Sequence, residues 1–150
     1  MDTLERQLQI AIQTIVRIQK ILEPSVQTAH GALKLGPPDI QTLRFIAQNP
    51  GCMSGTVAEF LGVVPTTMTS IIDRLVKRGF VLRERPADNR RALSLSLTDE
   101  GARVQATLDQ EERQSSAAML AILPEEERAG FVRSMNRIAA ALSDMSRQTA

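Results

Sequence analysis

Between Gly79 and Gly101 the chain reads GFVLRERPADNRRALSLSLTDEG, and no other segment constrains the fold as much. From Ala92 to Leu97 a leucine stands at every second position, the alternation of a strand with one face buried. The run before it, Phe80 to Arg85, begins apolar and ends basic. Pro86, Ala87, Asp88 and Asn89 supply turn chemistry between the two runs. The spacing predicts a β-hairpin with the adjacent arginines Arg90 and Arg91 at its tip. Thr98 stands where a helix cap is needed, with Asp99 and Glu100 suited to the positive end of the helix that follows.

The residues ahead of the hairpin predict two helices joined by a tight turn. Ser54 is placed to cap a short helix through Val57, Phe60 and Leu61. Gly62-Val63-Val64 makes the turn, and Pro65 takes the first position of a helix running to Arg78. That second helix turns Met68, Ile71, Ile72 and Leu75 inward and leaves Thr66, Thr67, Thr69, Ser70 and Arg74 for its other faces. Short helix, three-residue turn and a helix opening with small hydroxyl residues is the helix-turn-helix order. Small hydroxyls let a helix approach base edges closely and still hydrogen-bond them. With the basic-tipped hairpin behind it, the arrangement is a winged helix-turn-helix, and it points to double-stranded DNA.

Charge agrees with that placement. Residues 31–98 carry nine Lys or Arg against five acids, whereas residues 99–150 carry six Arg against nine acids. The positive surplus lies with the hairpin, the footprint of a phosphate-contacting surface, although an ordinary solvated face can look the same. Aromatics are limited to four Phe, which argues against stacking readers of single strands. One His and one Cys exclude His/Cys metal clusters, and no Gly-rich phosphate loop or Gly-x-Ser-x-Gly elbow is present, so neither an enzyme nor a cofactor is expected. Lone Cys52 fits a reducing compartment and a structural thiol. The start, Met1 to Arg6, has no basic n-region or apolar h-region, and no apolar run is long enough for a bilayer. A cytoplasmic protein with no membrane partner is expected.

Both flanks read as helix. Leu4, Leu8, Ala11, Ile15, Ile18 and Leu22 form a heptad-like seam ended by Pro24, and Ile10, Ile12, Val16 and Ile21 give the same helix a second apolar face. Pro37-Pro38-Asp39 opens a helix that Asn49-Pro50-Gly51 stops. Val104, Leu108, Met119, Leu120 and Leu123 mark a long helix from Asp99. After Pro124 and an acidic first turn, Phe131, Met135, Ile138, Leu142 and Met145 mark another. Each stripe alone is satisfied by core packing. Together they exceed what a small winged domain needs, so a homodimer built by the chain ends is expected. The fold expected is mainly α with a small β-hairpin wing (α+β), as one domain: dimerisation helices over 1–30 and 99–150, and a DNA-binding lobe over 37–98.

From the first helix to the last the chain resembles the MarR-type transcriptional regulators. The likeness is strongest in Leu61-Gly62-Val63, Met68 to Val81, Arg83, Asn89-Arg90-Arg91 and Leu97-Thr98-Asp99-Glu100-Gly101, which align without a gap. The resemblance implies a homodimer with two winged lobes on a pseudo-palindromic operator, and a repressor released by a small aromatic or apolar ligand. It implies contacts with DNA from Thr66, Thr67, Thr69, Ser70 and Arg74 and from the wing residues Arg90 and Arg91, with Arg91 the one inserted in the minor groove. Leu33, Leu35 and His30 lie where effectors bind in such proteins. Two positions depart from the pattern: Asn89 replaces the usual acid before the arginines, and Val64 replaces a capping Ser. The competing reading is a winged helix that binds other proteins and not DNA.

Overall fold

The computed structural model describes residues 3–22, 32–88 and 92–149, with the side chains of 19–22 left aside. Pro24, His30, Asn89, Arg90 and Arg91 lie outside the described residues. In chain order the elements are α1 (Leu4–Leu22), α2 (Pro37–Gln48), β1 (Cys52–Met53), α3 (Ser54–Leu61), α4 (Pro65–Lys77), β2 (Val81–Glu84), β3 (Ser94–Leu97), α5 (Asp99–Ile122) and α6 (Glu125–Gln148). The chain divides into two compact units, residues 1–36 and 37–150. Among the described residues no single helix is long and apolar enough to cross a membrane.

In the second unit α2 is the hub, packing on α3, α4, α5 and β3. Its Leu43 and Ile46 are fully buried, as are Val57 of α3, Met68, Ile72 and Leu75 of α4, Leu95 of β3 and Leu108 of α5. Burying apolar side chains of this size stabilises the fold by roughly 1.5–3 kcal/mol each. Val104 and Leu108 place the first turns of α5 inside this core.

The hairpin forms as β2 and β3 in antiparallel register, Val81 opposite Leu97 and Glu84 opposite Ser94. Of the three alternating leucines Leu95 is the buried one, Leu97 is half-buried, and Leu93 lies exposed ahead of the strand. Residues 52 and 53 add a short strand beside β3, which gives the order β1-β3-β2. A two-residue strand is too short to show a period. Ser54 is also displaced from its expected capping role. Met53 holds the cap position in extended conformation, with no side-chain cap bond, and Ser54 is the first helical residue.

α3 ends as the glycine predicts. Gly62 takes the left-handed conformation at φ 68°, Val63 N–H donates to the Ala58 carbonyl at 3.0 Å and Gly62 N–H to that of Glu59 at 3.3 Å. This double closure satisfies the last carbonyls and turns the chain sharply. α4 begins without a side-chain cap, since Val64 holds that position, and Pro65 pre-sets the first turn. The bend from α3 to α4 is 114°, within the range of a helix-turn-helix.

The expected cap on α5 is present. The Thr98 hydroxyl accepts from Gly101 N–H at 2.9 Å and donates to the Gly79 carbonyl at 2.5 Å, while Thr98 N–H donates to the Phe80 carbonyl at 3.0 Å. One residue thus ties the start of α5 to the turn that follows α4.

Two helices keep apolar faces uncovered. In the single chain Leu4, Leu8, Ile12, Ile15 and Ile18 of α1 are all exposed. α6 has no buried residue, with Phe131, Met135, Ile138, Leu142 and Met145 in contact with water.

Candidate nucleic-acid interface

At 3.6 residues per turn, the four buried residues of α4, at 68, 71, 72 and 75, define one side of the helix. The opposite ridge consists of Thr66, Ser70, Asp73 and Lys77, all exposed. Thr69 lies on one flank of that ridge, and Thr67 and Arg74 lie on the other. The expected hydroxyl residues are therefore on the solvent side of one helix. Lys77 joins them at the end of the ridge, where the 66-70-73-77 spacing puts it.

Two hydroxyls are oriented by the helix itself. Thr69 Oγ1 donates to the Pro65 carbonyl at 3.0 Å and Ser70 Oγ to the Thr66 carbonyl at 3.1 Å. With the proton directed inward, the oxygen lone pairs face out as acceptors. The complementary groups in a major groove are the exocyclic amino groups of adenine and cytosine.

Arg74, expected to contact DNA, and Arg83 at the base of the hairpin are both held by carboxylates. Arg74 Nη2 donates to Asp39 Oδ1 at 2.5 Å, reaching from α4 to the first turn of α2, where Asp39 is buried. Arg83 on β2 is paired with Asp73 on the α4 ridge. The pair compensates the negative charge of Asp73 on that ridge. A third pair, Arg44 with Glu112, joins α2 to α5. None of these partners is adjacent in sequence, so no local spacing announced them.

Beside the helix pair, the Phe60 ring rests on Phe45, centroids 4.7 Å apart and tilted 39°. Arg78 stacks over Phe80 at 5.1 Å. Cys52 is half-buried in β1, and burial pushes its thiol above the ordinary value. Among the described residues no group of three His, Cys, Asp or Glu is placed to hold a metal ion. Arg90 and Arg91 lie outside the described residues. Leu35 is buried and Leu33 half-buried.

Comparisons with known proteins converge. Residues 35–93 match the model of the MarR family. The chain is 27% identical over 124 residues to the HTH-type transcriptional repressor Rv2887 of Mycobacterium tuberculosis, covering 83% of this chain and 89% of that protein. It is 28% identical over 100 residues to the HTH-type transcriptional repressor MdtR of Bacillus subtilis, covering 67% and 63%. Among solved structures, FabT of Streptococcus pneumoniae in complex with DNA superposes with a TM-score of 0.81 at 19% identity, over 95% of this chain and 99% of that one. The PcaV transcriptional regulator of Streptomyces coelicolor superposes with a TM-score of 0.66 at 27% identity, over 95% and 99%.

Proposed function

We propose that this chain, whose residues 35–93 match the model of the MarR family, is a MarR-type transcriptional repressor that binds a pseudo-palindromic operator as a homodimer in the cytoplasm. The observation that carries the reading is the ridge of α4. Thr66 and Ser70 stand on its outermost line, Thr67 and Thr69 flank them, and Asp73 is already neutralised by Arg83. Such a ridge suits a major groove, where a helix needs small side chains to approach and outward acceptors to read amino groups.

Phosphate contacts would come from Lys77 and from Arg90 of the wing, with Arg91 entering the minor groove, whose narrow A·T-rich stretches attract arginine. Arg74, on the ridge's flank, borders the same surface. Homodimerisation follows from the apolar stripes of α1 and α6, which a monomer would leave in water. A small aromatic or apolar effector would release DNA by binding the DNA-incompetent arrangement better, with His30, Leu33 and Leu35 as the residues first tested. The protein-binding alternative requires no hydroxyl ridge and is set aside.

The test is selection of bound duplexes from a random pool, followed by footprinting. The expected product is two half-sites about one helical turn apart. Replacing Thr66, Thr67, Thr69 and Ser70 by Ala, one at a time, should cost roughly 1–3 kcal/mol of base discrimination for each useful contact. A pool that yields no preferred sequence, or alanine variants that all keep the parent's preference, would refute the assignment.

A further inference from the structure

Arg74 shares the DNA-side flank of α4 with Thr67, yet its guanidinium is turned back onto Asp39 at 2.5 Å. The two ends of this pair differ in environment: the Asp39 side chain is 6% exposed and that of Arg74 50%. A carboxylate so deeply buried must have its charge compensated, and withdrawing a guanidinium that hydrogen-bonds it is costly. The guanidinium is thus committed to the fold before any duplex arrives.

Its location makes that commitment consequential. Apart from the Asp73–Arg83 pair on its outer ridge, the rest of the α4 contact is apolar, through Met68, Ile71, Ile72 and Leu75, and hydrophobic contact is non-directional. A roll of about 20° about the helix axis carries a side chain about 5 Å from that axis by nearly 2 Å. Apolar packing yields to such a roll more readily than a charge-assisted hydrogen bond, which has a preferred length and angle. Asp39 sits in the first turn of α2, the helix on which α3, α5 and β3 also pack, so it is a fixed point.

Resting on the DNA-binding reading above, we propose that Arg74 is a positioning residue and not a phosphate or base ligand: through Asp39 it sets the roll of α4, and so decides which bases Thr66 and Ser70 address. The two roles give different signatures. A phosphate ligand contributes to every duplex and to the salt dependence, whereas a positioning residue contributes to discrimination and leaves the salt dependence alone.

The experiment measures affinity for the selected operator and for a scrambled duplex across a salt series. It compares the parent chain with Arg74→Gln, Arg74→Lys, Asp39→Asn and the Arg74→Gln/Asp39→Asn double variant. Amide hydrogen exchange across α4 is followed in the DNA-free proteins. The preference for operator over scrambled duplex should fall about tenfold in each single variant and no further in the double variant, as for groups acting as one unit. The salt slope on scrambled duplex should stay at the parent value, and the same α4 amides should exchange faster in Arg74→Gln and Asp39→Asn. Arg74→Lys keeps a cation but loses the planar fork, so parent-like discrimination in that variant would overturn the proposal. So would a slope flattened by about one phosphate contact per subunit in Arg74→Gln, or α4 exchange untouched by Asp39→Asn. If the parent prefers no duplex at all, the DNA-binding reading fails by itself, and the exchange comparison still decides whether Arg74 and Asp39 hold the helix.

Discussion

Arg83 of β2 reaches back to Asp73 on the outer ridge of α4, so the strand leading into the wing and the helix proposed to read bases share an ion pair. Both side chains are partly solvated, and a pair of this kind adds only about 0.2–1 kcal/mol to stability. Its larger effect concerns the field at the surface, where an unpaired Asp73 would repel phosphate. Arg83→Ala should therefore weaken binding to every duplex with little change in melting temperature. The Asp73→Asn/Arg83→Ala double variant should recover most of the loss. Titrations on one operator duplex decide it: a double variant as weak as Arg83→Ala would mean that Arg83 touches DNA itself.

The uncovered stripe on α6 offers a direct test of assembly. Ile138 lies midway along it and is half exposed in the single chain. Ile138→Glu should cost little in a monomer but places a charge in a buried seam if two chains meet there. Sedimentation should show a dimer for the parent, and monomer or aggregate with operator binding lost for the variant. Deleting residues 1–22 should do the same, and a well-folded truncation that binds like the full chain would refute the dimer.

For the wing, affinity against salt concentration separates the two arginines. Arg91→Ala should weaken binding at all sites, most where the flanks are A·T-rich. Arg90→Ala should mainly flatten the salt dependence, by about one phosphate contact per subunit. Asn89→Asp supplies an acid beside the pair and should leave binding equal or tighter. An Arg91→Ala variant with the parent's affinity and slope would remove the hairpin from the interface.

Cys52 is the remaining chemical handle. Burial raises its thiol pKa, so at neutral pH its thiolate fraction falls below that of a free cysteine, and with it the rate of alkylation or oxidation. Cys52→Ser should bind operator as the parent does, with and without peroxide. A large peroxide effect on the parent that the substitution abolishes would make Cys52 a sensor.

The elements that could be read from sequence are those whose signals are local. Leu93, Leu95 and Leu97 marked β3, Gly62 and Pro65 bracketed the turn between α3 and α4, and Thr98 declared the start of α5 three residues before its bonding partner Gly101. β1 escaped notice because two residues carry no alternation, and they form a strand only because the Leu95 edge is there to pair with. Ser54 missed the cap position by one residue, since the strand holds Met53 extended. The ion pairs were the least legible part. Asp39 and Arg74 are 35 residues apart, and only the packing of α4 on α2 brings them together.

Gly101 gives this architecture a mechanical property. A Cβ at that position would overlap the Phe80 carbonyl oxygen, so the first turn of α5 is set against the root of the wing with no clearance, and the Thr98 bonds pin it from the other side. α5 then extends 24 residues, about 36 Å at the rise of an α-helix. A shift of about 3 Å at its far end turns the pinned end through about 5°. With the fulcrum at Gly101, where the helix backbone lies against the Phe80 carbonyl, such a rotation is felt first at the root of the hairpin.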